Sequence, residues 1–201
     1  MYARLLLDLH LQLKTKNFSL SIFCLRASLG PKYKYPTQLR EAASAYEYLV
    51  HTLHIQPSNI TVAGDSSGGH LAIQLLRHIS QPHPLITRPI ARNLSPKAVI
   101  FLSPVVRTKN LNTGTFITNL DTDYINMGPI RRWLDKWRSS EDPEELAEFV
   151  PNPKGFLPWK TILPEINLIL WGANEVWASA IEEFYDESIK VLPLSLEILI
   201  R

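Results

Sequence analysis

The sequence predicts an α/β fold: a mostly parallel sheet with crossover helices and a helical insertion. Three observations carry this. β-branched and apolar runs at 59–63, 98–102 and 166–171 have the length and composition of buried strands. They alternate with segments whose apolar residues recur at spacings of three and four, as on one face of a helix. The alternation then breaks between 104 and 163, where no strand-like run occurs. Strand and helix in turn require a parallel sheet. The break marks the insertion, within one domain spanning 1–201.

In chain order, residues 2–13 are leucine-rich but interrupted by Arg4, Asp8 and His10. The segment is too short and too charged to span a bilayer, and Asp8 spoils a signal-peptide core. It reads as a surface helix packed on a sheet. Residues 19–26 read as a strand. Tyr35-Pro36-Thr37 opens a helix carrying Leu39, Ala42, Ala43, Tyr46, Leu49 and Val50 on one stripe. Residues 59–63 form the next strand, and Leu71, Ala72, Leu75, Leu76 and Ile79 place a helix over 70–79. Pro82, Pro84, Pro89 and Pro96 make 80–96 a surface loop. A strand follows at 97–103. In the insertion, Ile130, Trp133, Leu134 and Trp137 form a helical stripe, and 141–149 suggests a second, acidic helix. A strand at 166–171, a helix at 176–189 and a strand at 194–200 complete the pattern.

Composition narrows the function classes. A chain of 201 residues, 45% hydrophobic, can bury a sizeable core. Its net charge of +2 gives no electrostatic case for nucleic acid. Lys32-Tyr33-Lys34-Tyr35 interleaves bases and aromatics, but before Pro36 it reads as a solvated loop. The single cysteine, Cys24, cannot form an internal disulfide and reads as a small buried hydrophobe. With no leader or spanning segment seen, a cytoplasmic location is favoured. No cofactor is called for. His51 and His54 lack a third metal ligand.

The chemistry concentrates at Gly64-Asp65-Ser66-Ser67-Gly68-Gly69. This contains G-x-S-x-G, the nucleophile-elbow pattern. With Gly and Ser each near ~7% of residues, the bare pattern arises by chance in roughly one chain in fifteen of this length. Its position between a strand and a helix makes it informative. A serine hydroxyl attacks a carbonyl only if it stands proud of the scaffold. A sharp strand-to-helix turn achieves this with a strained backbone at Ser66. Gly64 and Gly68 let backbone pass close. The helix starting beneath the nucleophile favours developing negative charge.

On these residues the chain resembles the α/β-hydrolase superfamily, and within it the hormone-sensitive-lipase-like esterases in their fungal form. Leu29-Gly30-Pro31 with Tyr35-Pro36-Thr37-Gln38-Leu39 is similar to the stretch before the family's elbow. Residues 59–72 are similar to the elbow itself. Trp171-Gly172-Ala173-Asn174-Glu175-Val176 is similar to the turn bearing the acid. The resemblance implies hydrolysis of small-molecule carboxylic esters through an acyl-enzyme on Ser66, a histidine carrying the proton and an acid orienting that histidine. The backbone N–H of Ser67 would be one oxyanion donor.

The chain also departs from the family pattern. The acid falls at Asn174 or Glu175. Asparagine carries no charge to stabilise an imidazolium, so Glu175 is preferred over Asn174. No H-G-G-G-type loop precedes the elbow, and no histidine follows the acid. Among the six histidines, His70 lies one helical turn past Ser66, at a position that packs or hydrogen-bonds in the family. The expectation is a partial α/β-hydrolase fold, truncated at both ends. Two other readings are a small-molecule-binding member without catalysis and a remnant of the same fold.

Overall fold

The computed structural model describes residues 2–86, 90–138, 157–190, 192 and 194–200. Four strands, β1 (Thr61–Asp65), β2 (Ala98–Leu102), β3 (Ile166–Gly172) and β4 (Leu194–Ile200), form one sheet in the order β1-β2-β3-β4. All three pairings are parallel. Asp65 lies opposite Leu102, and Leu102 opposite Leu170, so β1, β2 and β3 end nearly level. That shared carboxyl edge is where parallel sheets place ligands.

The helices are α1 (Tyr2–Thr15), α2 (Thr37–Glu47), α3 (Ser67–Ser80), the short α4 (Thr115–Thr118), α5 (Met127–Trp137), the short α6 (Trp159–Ile162) and α7 (Ala178–Phe184). α3 is the central one. Ala72, Ile73 and Leu76 pack in a core with Val99 and Phe101 of β2 and Ile169 of β3. Leu75 and Ile79 pack in a second core with Leu39, Ala43 and Tyr46 of α2. Besides the buried polar Gln74, Arg77 and His78, α3 thus turns apolar side chains to two cores, as an internal helix does. Burying each such side chain contributes about 1.5–3 kcal/mol. β2 and β3 alternate as strands between layers do: Val99 and Phe101, then Ile169 and Trp171, are buried.

Five expectations need correction. Residues 19–26 form no strand: they carry no regular secondary structure, and no ladder among the described residues includes them. A strand exists only by pairing, and among the described residues β1 pairs on one side, with β2. Ile22, Phe23, Leu25 and Cys24 are consequently exposed, so Cys24 is not a buried hydrophobe. α1 forms as expected, but Leu5, Leu7, Leu9 and Leu11 are exposed rather than laid on the sheet. Tyr35 is not part of a solvated loop. It is 2% exposed, its hydroxyl 3.2 Å from Gln74 Oε1 and its ring edge-on to Trp137. In α5, Leu134 and Trp137 are buried and Ile130 packs against the core, as the stripe predicts, but Trp133 is exposed, stacked on Trp137. The acidic helix expected at 141–149 lies outside the described residues.

Candidate active site

β1 ends at Asp65, and α3 starts at Ser67. The reversal between them falls on Ser66, at φ 52° and ψ −118°. Left-handed backbone at a residue with a Cβ costs of order 1–3 kcal/mol and persists only where its surroundings over-determine it. Here they do. The Ser66 N–H donates to Leu102 O at 2.9 Å, and Ser66 O accepts from the N–H groups of Val105 (3.1 Å) and His70 (3.2 Å).

The glycines divide in their roles. A Cβ on Gly64 would lie 2.2 Å from Gly68 O, so only glycine lets β1 pass beneath the first turn of α3. A Cβ on Gly69 would lie 2.7 Å from Pro104 Cβ. Around Gly68 nothing lies within 4 Å of an added Cβ. The close approach expected at Gly68 is therefore made by its carbonyl towards Gly64 and not by its own Cβ position.

Ser67 is exposed and opens α3, so its N–H belongs to the first turn, whose donors have no intrahelical acceptor. Asp65 is half-buried at the end of β1. His70 is 5% exposed. Its Nδ1 is 2.8 Å from Val105 O, its Nε2 is 3.5 Å from Gln74 Nε2, and its ring meets Trp137 edge-on. His70 thus ties α3 to the segment after β2.

The acid turn follows β3. Glu175 is half-buried, and Asn174 is exposed. Glu175 Oε1 accepts the Gly172 N–H at 2.8 Å and the Ser103 hydroxyl at 2.6 Å. A Cβ at Gly172 would lie 3.1 Å from Glu175 Oε1, so a larger residue there would press on that carboxylate. Ser103 directly follows β2 with φ 42°, its N–H on Leu170 O at 2.8 Å. Ser66, Ser103 and the Gly172–Glu175 turn therefore sit on three adjacent strand ends. At ordinary strand spacing the outer two are separated by about 10 Å, room for one imidazole and its hydrogen bonds.

Ser103 escaped the sequence reading, since a serine before proline after a strand carries no distinctive signal. So did Thr115, Asn119, Thr122 and Asp123, whose bonds to the acid turn are long-range in sequence.

A cavity of about 230 Å³ opens at the far end of α3, lined by Leu39, Gln74, Arg77, His78 and His83 among others; Ser66 and Glu175 do not line it. Burial pulls the Arg77 guanidinium down to about 10. Among the described residues, no group of three or more His, Cys, Asp or Glu could hold a metal, and no helix is long and apolar enough to cross a membrane.

The comparisons with known proteins agree with this architecture. The sequence profile of the alpha/beta hydrolase fold family matches residues 14–153. Bovine (Bos taurus) neutral cholesterol ester hydrolase 1 is 26% identical over 120 residues, which are 57% of this chain and 28% of that protein. Steryl acetyl hydrolase 1 of Saccharomyces cerevisiae is 30% identical over 71 residues, 35% of this chain and 14% of that protein. A hormone-sensitive lipase structure from a metagenome library superposes with a TM-score of 0.68 at 19% identity, covering 88% of this chain and 54% of that one. The chain thus spans little more than a quarter of its bovine relative and about half of the solved structure. A profile match over most of the chain, joined to a strained serine between β1 and α3, establishes that the chain belongs to the alpha/beta hydrolase fold family.

Proposed function

We propose that this chain carries the nucleophile and the acid of a serine hydrolase acting on carboxylic esters. The observation that carries the reading is the conformation of Ser66, left-handed between β1 and α3 at the carboxyl edge of the sheet. The Ser66 hydroxyl would attack the ester carbonyl and form an acyl-enzyme, releasing the alcohol; water would then release the acid. The Ser67 N–H, at the positive end of α3, is suited to the oxyanion. Glu175 is the acid in this reading, and Asn174 is not. Glu175 turns inward to two hydrogen-bond donors, whereas Asn174 is exposed and has no charge to give. With Oε1 occupied by Ser103 and Gly172, Oε2 is the oxygen that faces a protonated base.

The substrates are small-molecule esters in this reading. The names of the two curated relatives make sterol esters the first class to assay. The block at 104–163 follows β2 at the same edge as Ser66, which supports reading it as an insertion that shapes the substrate site. Hydrolysis of p-nitrophenyl acetate tests the function in a form of the protein extended to include a histidine after the acid: turnover that disappears in Ser66→Ala is expected. Turnover unchanged in Ser66→Ala would reject the reading. Thermal stabilisation by an ester without turnover would favour the non-catalytic binding alternative.

A further inference from the structure

The acid turn is held from outside by one short segment, in a pattern that packing alone does not require. Every backbone carbonyl from Ala173 to Val176 accepts a side-chain donor from residues 115–122. Asn119 Nδ2 donates to Ala173 O (3.1 Å) and to Glu175 O (2.9 Å). The Thr122 hydroxyl donates to Asn174 O at 3.2 Å, and the Thr115 hydroxyl to Val176 O at 2.9 Å. In the opposite sense, the Val176 N–H donates to Asp123 Oδ2 at 2.8 Å, while Asp123 Oδ1 accepts from the Ile125 N–H. Within the turn, the Glu175 N–H reaches Gly172 O at 3.2 Å. Four side chains thus fix a five-residue turn at five points.

We propose that Asn119, assisted by Thr115, Thr122 and Asp123, is a positioning residue that locks the Gly172–Val176 turn and so aims the carboxylate of Glu175. Asn119 leads because one amide bridges two carbonyls on either side of Asn174. Of this turn, Val176 is anchored in the apolar core, and polar bonds to a neighbouring segment direct the residues that precede it. Positional error at such a group is expensive: a misplacement of about 1 Å can cost about 100-fold in rate. The inference rests on the reading of Glu175 as the acid, yet the clamp itself is measurable without turnover.

The test compares the wild-type chain with Asn119→Asp, which preserves shape but turns acceptor oxygens toward Ala173 O and Glu175 O. Amide hydrogen exchange is the first readout. The Gly172 and Val176 amides are expected to exchange roughly 10- to 100-fold faster in the variant, while amides of β1 and β2 keep their protection. Unchanged exchange at 172–176, or an equal loss over the whole sheet, would overturn the clamp. Thr122→Val, which removes a single exposed donor, is the milder second variant and is expected to speed exchange there a few-fold. Ester turnover, measured in a form of the protein extended to include a histidine after the acid, is the second readout: kcat falls in Asn119→Asp while KM is unchanged. A rise in KM at constant kcat would contradict a positioning role. Absence of Ser66-dependent turnover in that extended form would sink the hydrolase reading alone, and the exchange data would still decide the clamp.

Discussion

Ser103 donates its hydroxyl to Oε1 of Glu175 at 2.6 Å, across two neighbouring strand ends. The same residue sits at φ 42°, a conformation that glycine adopts without strain. Function and stability therefore part company at this position. Ser103→Gly loses a hydrogen bond to a charged group, about 1.5–3 kcal/mol, and gains relief of backbone strain of similar size. The melting temperature should hold close to wild type while kcat/KM falls roughly 10- to 100-fold. Ser103→Ala, which keeps the strain, should lose both. Paired melting and kinetic measurements decide this.

The glycines of the elbow separate on steric grounds. Gly64→Ala drives a Cβ to 2.2 Å from Gly68 O, a backbone atom that cannot move without breaking the turn. It should destabilise by about 3 kcal/mol or more. Gly68→Ala meets open space inside the first turn of α3 and should be neutral, or stabilising by up to about 1 kcal/mol. Denaturant titration of the two variants distinguishes them, and equal losses would contradict the described turn.

The two candidate acids make opposite forecasts. In a form of the protein extended to include a histidine after the acid, Glu175→Gln keeps the side chain's shape but removes its charge, and kcat should fall on the order of 10⁴-fold. Asn174→Ala should leave kcat within a factor of about two, since an exposed surface side chain contributes little. The reverse ranking in ester kinetics would move the acid to position 174.

Tyr46 offers a pH test of the α2–α3 core. Its phenol is buried, and burial pushes its pKa above the ordinary value. A raised folded pKa means stability that is complete below the unfolded value of about 10 and is lost as pH rises towards the folded one. Relative to Tyr46→Phe, the wild type should lose about 1.4 kcal/mol per pH unit above about pH 10. Arg77, pulled down to about 10, shifts stability in the opposite direction over that window, and the difference between the two proteins removes its effect. At neutral pH, Tyr46→Phe should cost about 1 kcal/mol, because Leu94 O loses the hydroxyl that reaches it at 2.6 Å. Urea titrations at pH 7 and pH 11 measure both.

What the sequence disclosed is what local pattern encodes. The stripe Leu39, Ala42, Ala43 and Tyr46 built α2, and the runs at 98–102 and 166–171 became β2 and β3. The elbow was legible because its glycines answer to a contact only four residues away, Gly64 against Gly68. Residues 19–26 have the composition of a strand, but pairing is a tertiary property that composition does not record. Cys24 was misjudged for the same reason. Tyr35 was misjudged because its burial depends on Gln74 and Trp137, both distant in sequence. The hydrogen bonds around Glu175 reach back 52 to 72 residues, to Ser103 and to residues 115–123. No periodicity reaches that far, so Glu175 is a candidate through its adjacency to Asn174, while the residues that bond to its turn leave no local signal.

The reactivity of Ser66 tests the central claim most directly. The protein, extended to include a histidine after the acid, is treated with a fluorophosphonate probe, digested, and the adduct located by mass spectrometry. Ser66 Oγ should displace fluoride from phosphorus, so that the label appears on the peptide containing Ser66 and vanishes in Ser66→Ala. Labelling that persists in Ser66→Ala, or that falls on another residue while Ser66 stays unmodified, would contradict the account.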